Sequence, residues 1–484
     1  MTGVMTGVTA PVQQPAPPAR PSPASGSAVK RALGEWWFAI CALTLIVASD
    51  YKIRVRPPQA ALGGSVDPLI LVELGLYALV GLYLATQRAH VPRLGRTQPH
   101  LYLACLFVGL MVLSVVYTAY PQYAMVRAVQ MCILLSLVLV AARTATRADM
   151  HRFAHGFIVL VSVSVVYGIV KPSPPVNNLQ VGRFTWLAIH PTVSGVLAGL
   201  ATLLVVAYLA GSRRPRPGPF WPTWYYVGAL VLVGGATLAS QTRGAVAGTM
   251  LGIVVVLIAL RGGRAVLELQ VVLVVVVVGV GLAFGGQVVS YFERGENSQQ
   301  LASLNTRTDL WETAKDAIEK KPMFGYGVTS SRGIFFNQTG LGGGHNAVVN
   351  VFVELGAVGL VIWVALLFAL VIGIRRLPMR RFPQLRFDRA LLLGVLTFLM
   401  VDGIFFDGPG STANVASTWF FVCIAWLAVA RRSIAPRDGA PPETPELVPP
   451  VAVPRDPSPE PFFAGIEPVT PPPARQYRPG PPNC

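Results

Sequence analysis

Apolar runs recur along this chain near 34–49, 66–86, 101–118, 122–141, 154–170, 190–210, 223–240, 244–260, 265–285, 346–373, 390–406 and 413–430. Each has roughly the 17 to 25 residues that an α-helix needs to cross about 30 Å of hydrocarbon. Their number constrains the fold more than any other feature. Inside a bilayer every backbone amide must be satisfied within its own segment, which leaves helices as the solution for runs of this kind. The prediction is an all-α polytopic membrane protein with about twelve transmembrane helices. It would carry one large outer loop, 287–345, between spans nine and ten. Hydrophobic residues make up 53% of the chain and charged residues only 13%, a balance that a water-soluble globule could not hide from solvent.

The net charge of +17 needs a separate explanation. Basic residues fall in short clusters between the apolar runs instead of along one face, so nucleic-acid binding is excluded as the reading. Arg88, Arg93 and Arg96; Arg143, Arg147 and Arg152; Arg213, Arg214 and Arg216; Arg261 and Arg264; Arg375, Arg376, Arg380 and Arg381; and Arg431 and Arg432 occupy every second connection and the C-terminal flank. With Lys30 and Arg31 they mark the cytoplasmic side. An even number of spans puts both termini there. Four of the five cysteines lie inside apolar runs and Cys484 ends the chain, so neither a disulfide framework nor a Cys/His metal spacing exists.

Domain boundaries follow composition. Residues 1–30 are rich in Pro, Ala, Ser and Gly and read as a disordered cytoplasmic tail, 31–432 form the membrane domain, and 433–484 are a second, Pro-rich cytoplasmic tail. The outer face then receives Lys171 to Thr185, the turn Ser240 to Gly244, the long loop, and Asp407 to Thr412.

The long loop has structure of its own. Thr306 to Asp309 supplies a capping-box-like start, Leu310, Ala314, Ala317 and Ile318 share helical spacing, and Lys320-Lys321-Pro322 ends the helix. The expectation is a short amphipathic helix lying on the outer membrane surface. Arg307 in its first turn suits a phosphate, where free amides and the dipole already favour an anion. Pairing with Asp309 or Glu312 is the plainer alternative. Arg243, held in a short connection at the membrane boundary, suits a lipid diphosphate or acts as a simple interfacial anchor.

His345 follows four glycines within Gly340–Gly344 and precedes Asn346, a natural helix cap. An imidazole titrating near neutrality suits removal of a proton from a sugar hydroxyl. Glu354, about 13 Å further along a straight helix, is a carboxylate inside an apolar span. It is either functional or the structural partner of a buried arginine such as Arg127. Arg183 and His190 lie at the outer end of another span and are secondary candidates.

Taken together, Gly344-His345-Asn346, Glu354-Leu355-Gly356 and Gly359-Leu360 resemble the signature of the O-antigen ligase and O-antigen polymerase superfamily of bacterial surface-polysaccharide enzymes. Gln241 to Ala245, Asn305-Thr306-Arg307 with Leu310-Trp311, and Pro322 to Gly327 agree in order and side. The resemblance spans roughly residues 180 to 375. It implies a metal-independent glycosyltransferase in the bacterial cytoplasmic membrane, without a cofactor. Its donor would be a polyprenyl-diphosphate-linked glycan, its acceptor a hydroxyl on a glycan, lipid or protein, and its site on the outer face. By matching motif, Arg243 and Arg307 would hold the diphosphate and His345 would act as general base.

A different class stays open at this point. A twelve-helix transporter or flippase of a lipid-linked glycan would use ionisable residues at membrane depth, and Glu73, Arg127, Glu354 and Asp402 are available. Ligase and polymerase share these motifs and differ in acceptor, which the sequence does not name.

Overall fold

The computed structural model describes residues 28–52, 67–88, 98–175, 180–187, 189–211, 221–261, 307–339, 342–410 and 412–434, with isolated positions 54, 60, 62, 65, 286 and 291; at 28–33, 88 and 307–309 this covers the backbone alone. The expected ninth span at 265–285 lies outside these residues. So do the expected tails, apart from 28–30, which open the first helix, and 433–434, which follow the last.

Thirteen helices are present among the described residues: α1 (Ala28–Asp50), α2 (Pro68–Arg88), α3 (Pro99–Ser114), α4 (Pro121–Thr144), α5 (Arg147–Val170), α6 (Pro191–Ala210), α7 (Thr223–Ala239), α8 (Arg243–Arg261), α9 (Arg307–Lys320), α10 (Ser330–Thr339), α11 (Ala347–Arg375), α12 (Leu385–Gly403) and α13 (Val415–Arg432). The described residues contain no strand, only an isolated bridge between Pro172 and Trp186. Seven helices, α2, α4, α5, α6, α8, α11 and α13, are long and apolar enough to cross a membrane. The chain is therefore a multi-pass membrane protein. The runs read as spans near 101–118 and 223–240 are helical but only 16 and 17 residues long. That near 390–406 belongs to α12, which carries Arg386, Asp388, Arg389 and Asp402.

Proline and Asx caps start these helices where the apolar runs begin. Pro99, Pro121 and Pro191 occupy first-turn positions, while Asn346 and Asn414 accept from backbone amides two or three residues on. Helix α13 runs through the centre, with sixteen consecutive residues, Val415 to Ala430, buried. Helices α8 and α12 approach closely because Gly252 and Gly394 face each other: a Cβ on Gly252 would lie 2.8 Å from the Gly394 carbonyl. Small residues at such a crossing let backbones pack where no side chain would fit.

The two ends of the bundle differ. At one end Arg147 pairs with Asp388 at 2.6 Å, Arg152 with Asp149 and Glu35, and Arg432 donates to the carbonyls of Ala142 and Ala145. Arginines read from sequence as markers of sidedness thus also brace α1, α4, α5, α12 and α13. At the other end gather the starts of α4, α6, α8 and α11 and the C-terminal turn of α12.

Candidate functional site

Helix α11 is broken. At Gly356 the backbone adopts φ 65 and ψ −166, which a residue with a Cβ avoids. The amides and carbonyls freed by the break are taken up by Pro322 to Gly327. Tyr326 N–H donates to Val353 O at 3.0 Å and Gly327 N–H to Glu354 O at 2.8 Å, while Ala357 and Val358 donate back to Pro322 and Met323 at 2.8 and 3.2 Å. Here the Pro-Met-Phe-Gly-Tyr-Gly stretch finds its physical role. It is a backbone plug for an interrupted helix.

The plug is clamped from its other side by the α3–α4 connection. Ser114 Oγ accepts from Val328 N–H at 2.9 Å, and Tyr117 hydroxyl donates to Phe324 O at 2.9 Å. Helix α9 runs from Arg307 to Lys320, ending at the Lys321-Pro322 stop; the expected capping residue Thr306 lies outside the described residues. Its apolar face is not laid on lipid, however: Leu310, Ala314 and Ala317 pack in a cluster with Phe335 of α10 and Val353 of α11. Protein contact wins because the two neighbours already present an apolar surface. Leu310, three residues after Arg307, shares that cluster with Val349, four residues after His345. The start of α9 thus lies against the first turns of α11. Arg307 opens the helix, and its side chain lies outside the described residues.

His345 is partly exposed and sits in the left-handed region at φ 45, immediately before the Asn346 cap. Two hydrogen bonds tie its loop down. Gly344 N–H donates to Asn350 Oδ1 at 2.9 Å, and Asn346 Nδ2 donates to Ile404 O at 3.2 Å. The same turn after α12 receives the start of α8, where a Cβ on Gly244 would lie 2.9 Å from Phe405 Cβ and 3.0 Å from Asp402 Oδ1. Gly244, next to Arg243, and Asn346, next to His345, therefore both meet residues 402–405.

The secondary candidates divide. Arg183 donates through Nε to Ser240 O at 2.9 Å and through Nη2 to Thr242 Oγ1 at 3.0 Å, so it braces the turn that presents Arg243. His190 caps α6 by accepting from Thr192 N–H at 3.2 Å and lies within electrostatic reach of Arg183, His345 and Asp407. Arg127 does not pair with Glu354. It donates to Gln130 at 2.9 Å and to the Tyr123 hydroxyl at 3.3 Å, one turn on and one turn back along its own helix. Glu354 is 1% exposed and accepts from Ser331 Oγ at 2.5 Å, a partner supplied by α10 once the plug is seated.

Arg332, Asn350 and Asp407 escaped the sequence reading. Asn350 Nδ2 donates to Asp407 Oδ1 at 3.0 Å, and Arg332 Nη2 lies 3.8 Å from Asp407 Oδ2. Tyr123 beside it, then Asp407 and Glu354, raise the Arg332 pKa against the opposing effect of burial. No periodicity or motif joins these three residues; Asn350, one turn after Asn346 in an apolar run, was the available signal. Among the described residues no group of three or more His, Cys, Asp and Glu side chains could hold a metal ion.

Residues 228–364 match the family described as O-antigen ligase. The matched segment contains Arg243, Arg307, His345 and Glu354, whereas Arg127, Arg183, His190 and Asp407 lie outside it. No curated protein matches the chain. Among solved structures, a chain from "Structural coordination of polymerization and crosslinking by a peptidoglycan synthase complex" is 16% identical at a TM-score of 0.44, covering 71% of this chain and 100% of that one.

Proposed function

We propose that this chain, a multi-pass membrane protein carrying an O-antigen ligase domain over residues 228–364, transfers a glycan from a polyprenyl diphosphate to an acceptor hydroxyl. The site faces outward from the bacterial cytoplasmic membrane, with both termini inside and about twelve spans in all. The observation that carries this reading is the shared turn at 402–405, packed by Gly244 beside Arg243 and bonded by Asn346 beside His345. In this reading a cation for the leaving group and a base for the nucleophile come from neighbouring helix starts.

In the proposed reaction His345 takes the proton of the acceptor hydroxyl. The acceptor oxygen forms a bond to the anomeric carbon, the bond from that carbon to phosphate oxygen breaks, and the polyprenyl diphosphate departs with the electron pair. Arg243 and Arg307 stabilise the charge developing on it, aided by the free amides at the starts of α8 and α9. No metal is required in this scheme. Three of the four residues a transporter would use are engaged otherwise: Glu73 pairs with Lys52 at 2.7 Å, Arg127 with Tyr123 and Gln130, and Glu354 with Ser331, while both carboxylate oxygens of the fourth, Asp402, are buried without a hydrogen-bond partner among the described residues.

The test is transfer by purified protein from a polyprenyl-diphosphate oligosaccharide to candidate glycan, lipid and protein acceptors, with His345→Ala beside the parent. Product lost in the variant while donor binding persists supports the assignment. Product size separates repeated from single transfer. Equal transfer by both proteins overturns the role of His345, and lipid movement between leaflets without product supports the transporter reading.

A further inference from the structure

Four residues other than glycine have positive φ among the described residues: Leu187 at 55, Gln241 at 49, Thr329 at 65 and His345 at 45. For residues with a Cβ this region is costly, and such strain persists only where the surroundings over-determine it. Three of the four flank or include residues already placed in the site. Leu187 stands between Arg183 and His190, Gln241 two residues before Arg243, and His345 is itself the base. Thr329 stands three residues before Arg332.

The geometry around Arg332 explains what that fourth strained turn holds. Asp407 is 6% exposed, and its two oxygens are divided between neighbours: Oδ1 accepts from Asn350 Nδ2 at 3.0 Å and Oδ2 faces Arg332 Nη2 at 3.8 Å. Asn350 is 1% exposed, and its own Oδ1 accepts at 2.9 Å from the amide of Gly344, the residue before His345. Gly343 closes the circle, since a Cβ there would lie 2.8 Å from Asp407 Oδ1. An Asn side chain held by an acceptor on its amino group has its carbonyl oriented with no freedom to flip. Orientation passes from Asp407 to Asn350 to the backbone of the His345 loop.

We infer that Arg332, Asp407 and Asn350 are positioning residues for His345: the Arg332 guanidinium holds the Asp407 carboxylate, which orients Asn350, which fixes the Gly344 amide and with it the left-handed backbone at His345. None of the three is assigned contact with donor or acceptor. The inference rests on the proposed role of His345 for its effect on rate, and on the structure alone for its effect on the loop.

Two readouts separate these dependencies. The first is transfer from a polyprenyl-diphosphate oligosaccharide by parent, Asn350→Ala, Asp407→Asn, Arg332→Ala and Arg332→Lys. Misplacing a base by about an ångström lowers turnover about 10- to 100-fold. A fall of that size in kcat is expected for the Asn350 and Asp407 variants, with donor Kd unchanged and no further loss in the double variant. Arg332→Lys is expected to recover most of what Arg332→Ala loses. The second readout is the NMR signal of the His345 imidazole in protein labelled on its six histidines, assigned with His345→Ala. It is expected to move in the Asp407→Asn and Asn350→Ala proteins.

A shifted signal with no change in rate leaves the relay standing and removes His345 from the chemistry. An unmoved signal, or donor affinity falling in step with turnover, overturns the relay. Should Asp407→Asn fail to fold, the Arg332→Lys and Asn350→Ala proteins decide by the same two measurements.

Discussion

The amide of Gly327 donates to the carbonyl of Glu354 at 2.8 Å, and this bond places the segment before α10 inside a break in α11 instead of beside the helix. Both sides of the junction are backbone, so side-chain substitutions elsewhere in the plug are tolerable while an added Cβ is not. At Gly356 a Cβ would lie 2.3 Å from the Met323 carbonyl, in addition to the left-handed strain. Gly356→Ala is expected to cost about 1–3 kcal/mol for the backbone conformation alone, and more for the displaced plug. Thermal unfolding in detergent should show a clearly lower midpoint and transfer should be lost. Gly228→Ala, with nothing within 4 Å of the added methyl, should unfold no earlier than the parent.

Removal of the Arg243 side chain should weaken donor binding and not the fold. Hydrogen bonds to a charged group contribute about 1.5–3 kcal/mol, so Arg243→Ala is expected to lower affinity for a polyprenyl-diphosphate oligosaccharide about 10- to 100-fold. Arg243→Lys should recover only part of this, because an ammonium lacks the planar fork that matches two phosphate oxygens. Titration of the donor into nanodisc-embedded protein measures both.

Arg183 acts through Arg243 if its bonds to Ser240 and Thr242 are its purpose. Arg183→Ala should then reduce donor affinity in the parent and add little in the Arg243→Ala background. Additive losses in the double-mutant cycle would instead place the Arg183 guanidinium on the donor itself. Coupling between contacting residues of this kind is about 0.5–3 kcal/mol, well within reach of the titration.

At the opposite end, Asp388 is fully buried and accepts from Arg147, while its other oxygen lies 3.1 Å from His151 Nε2. Asp388→Ala strands a cation and a buried imidazole, and the expected loss of stability is about 3–5 kcal/mol. Denaturation midpoints should drop while the donor affinity of the protein that remains folded is unchanged. A change in affinity would mean that this brace is coupled to the site through α12.

A transfer reaction that relies on guanidinium groups for the leaving diphosphate should proceed at the same rate with EDTA present. Dependence on added Mg²⁺ or Mn²⁺, measured on metal-stripped protein, would require residues outside those described to bind the ion with the donor.

The periodicity of apolar residues is a local property, and it was enough to locate every described helix that crosses the core and to predict an all-α membrane protein. Capping at Asn346, the stop at Lys320-Lys321-Pro322 and the helix starting at Arg307 were equally legible, since each depends on residues within one turn. Glu354 shows where local reading ends. Its placement in an apolar span points to a buried arginine such as Arg127 as partner, but Ser331 arrives on α10, whose seat exists only because α11 breaks at Gly356. The same limit applied to α9, whose amphipathic face fits lipid and protein equally well until α10 and α11 are in place. The sequence by itself determined the elements, the family resemblance and the chemical types at His345, Arg243 and Arg307. Only the tertiary structure decided that the neighbours of Arg243 and His345, Gly244 and Asn346, meet at residues 402–405, and that Arg332, Asp407 and Asn350 connect to the Gly344 amide beside the histidine. Contacts between residues 57 to 75 positions apart leave no periodic trace, because packing and hydrogen bonding select them after the helices have formed.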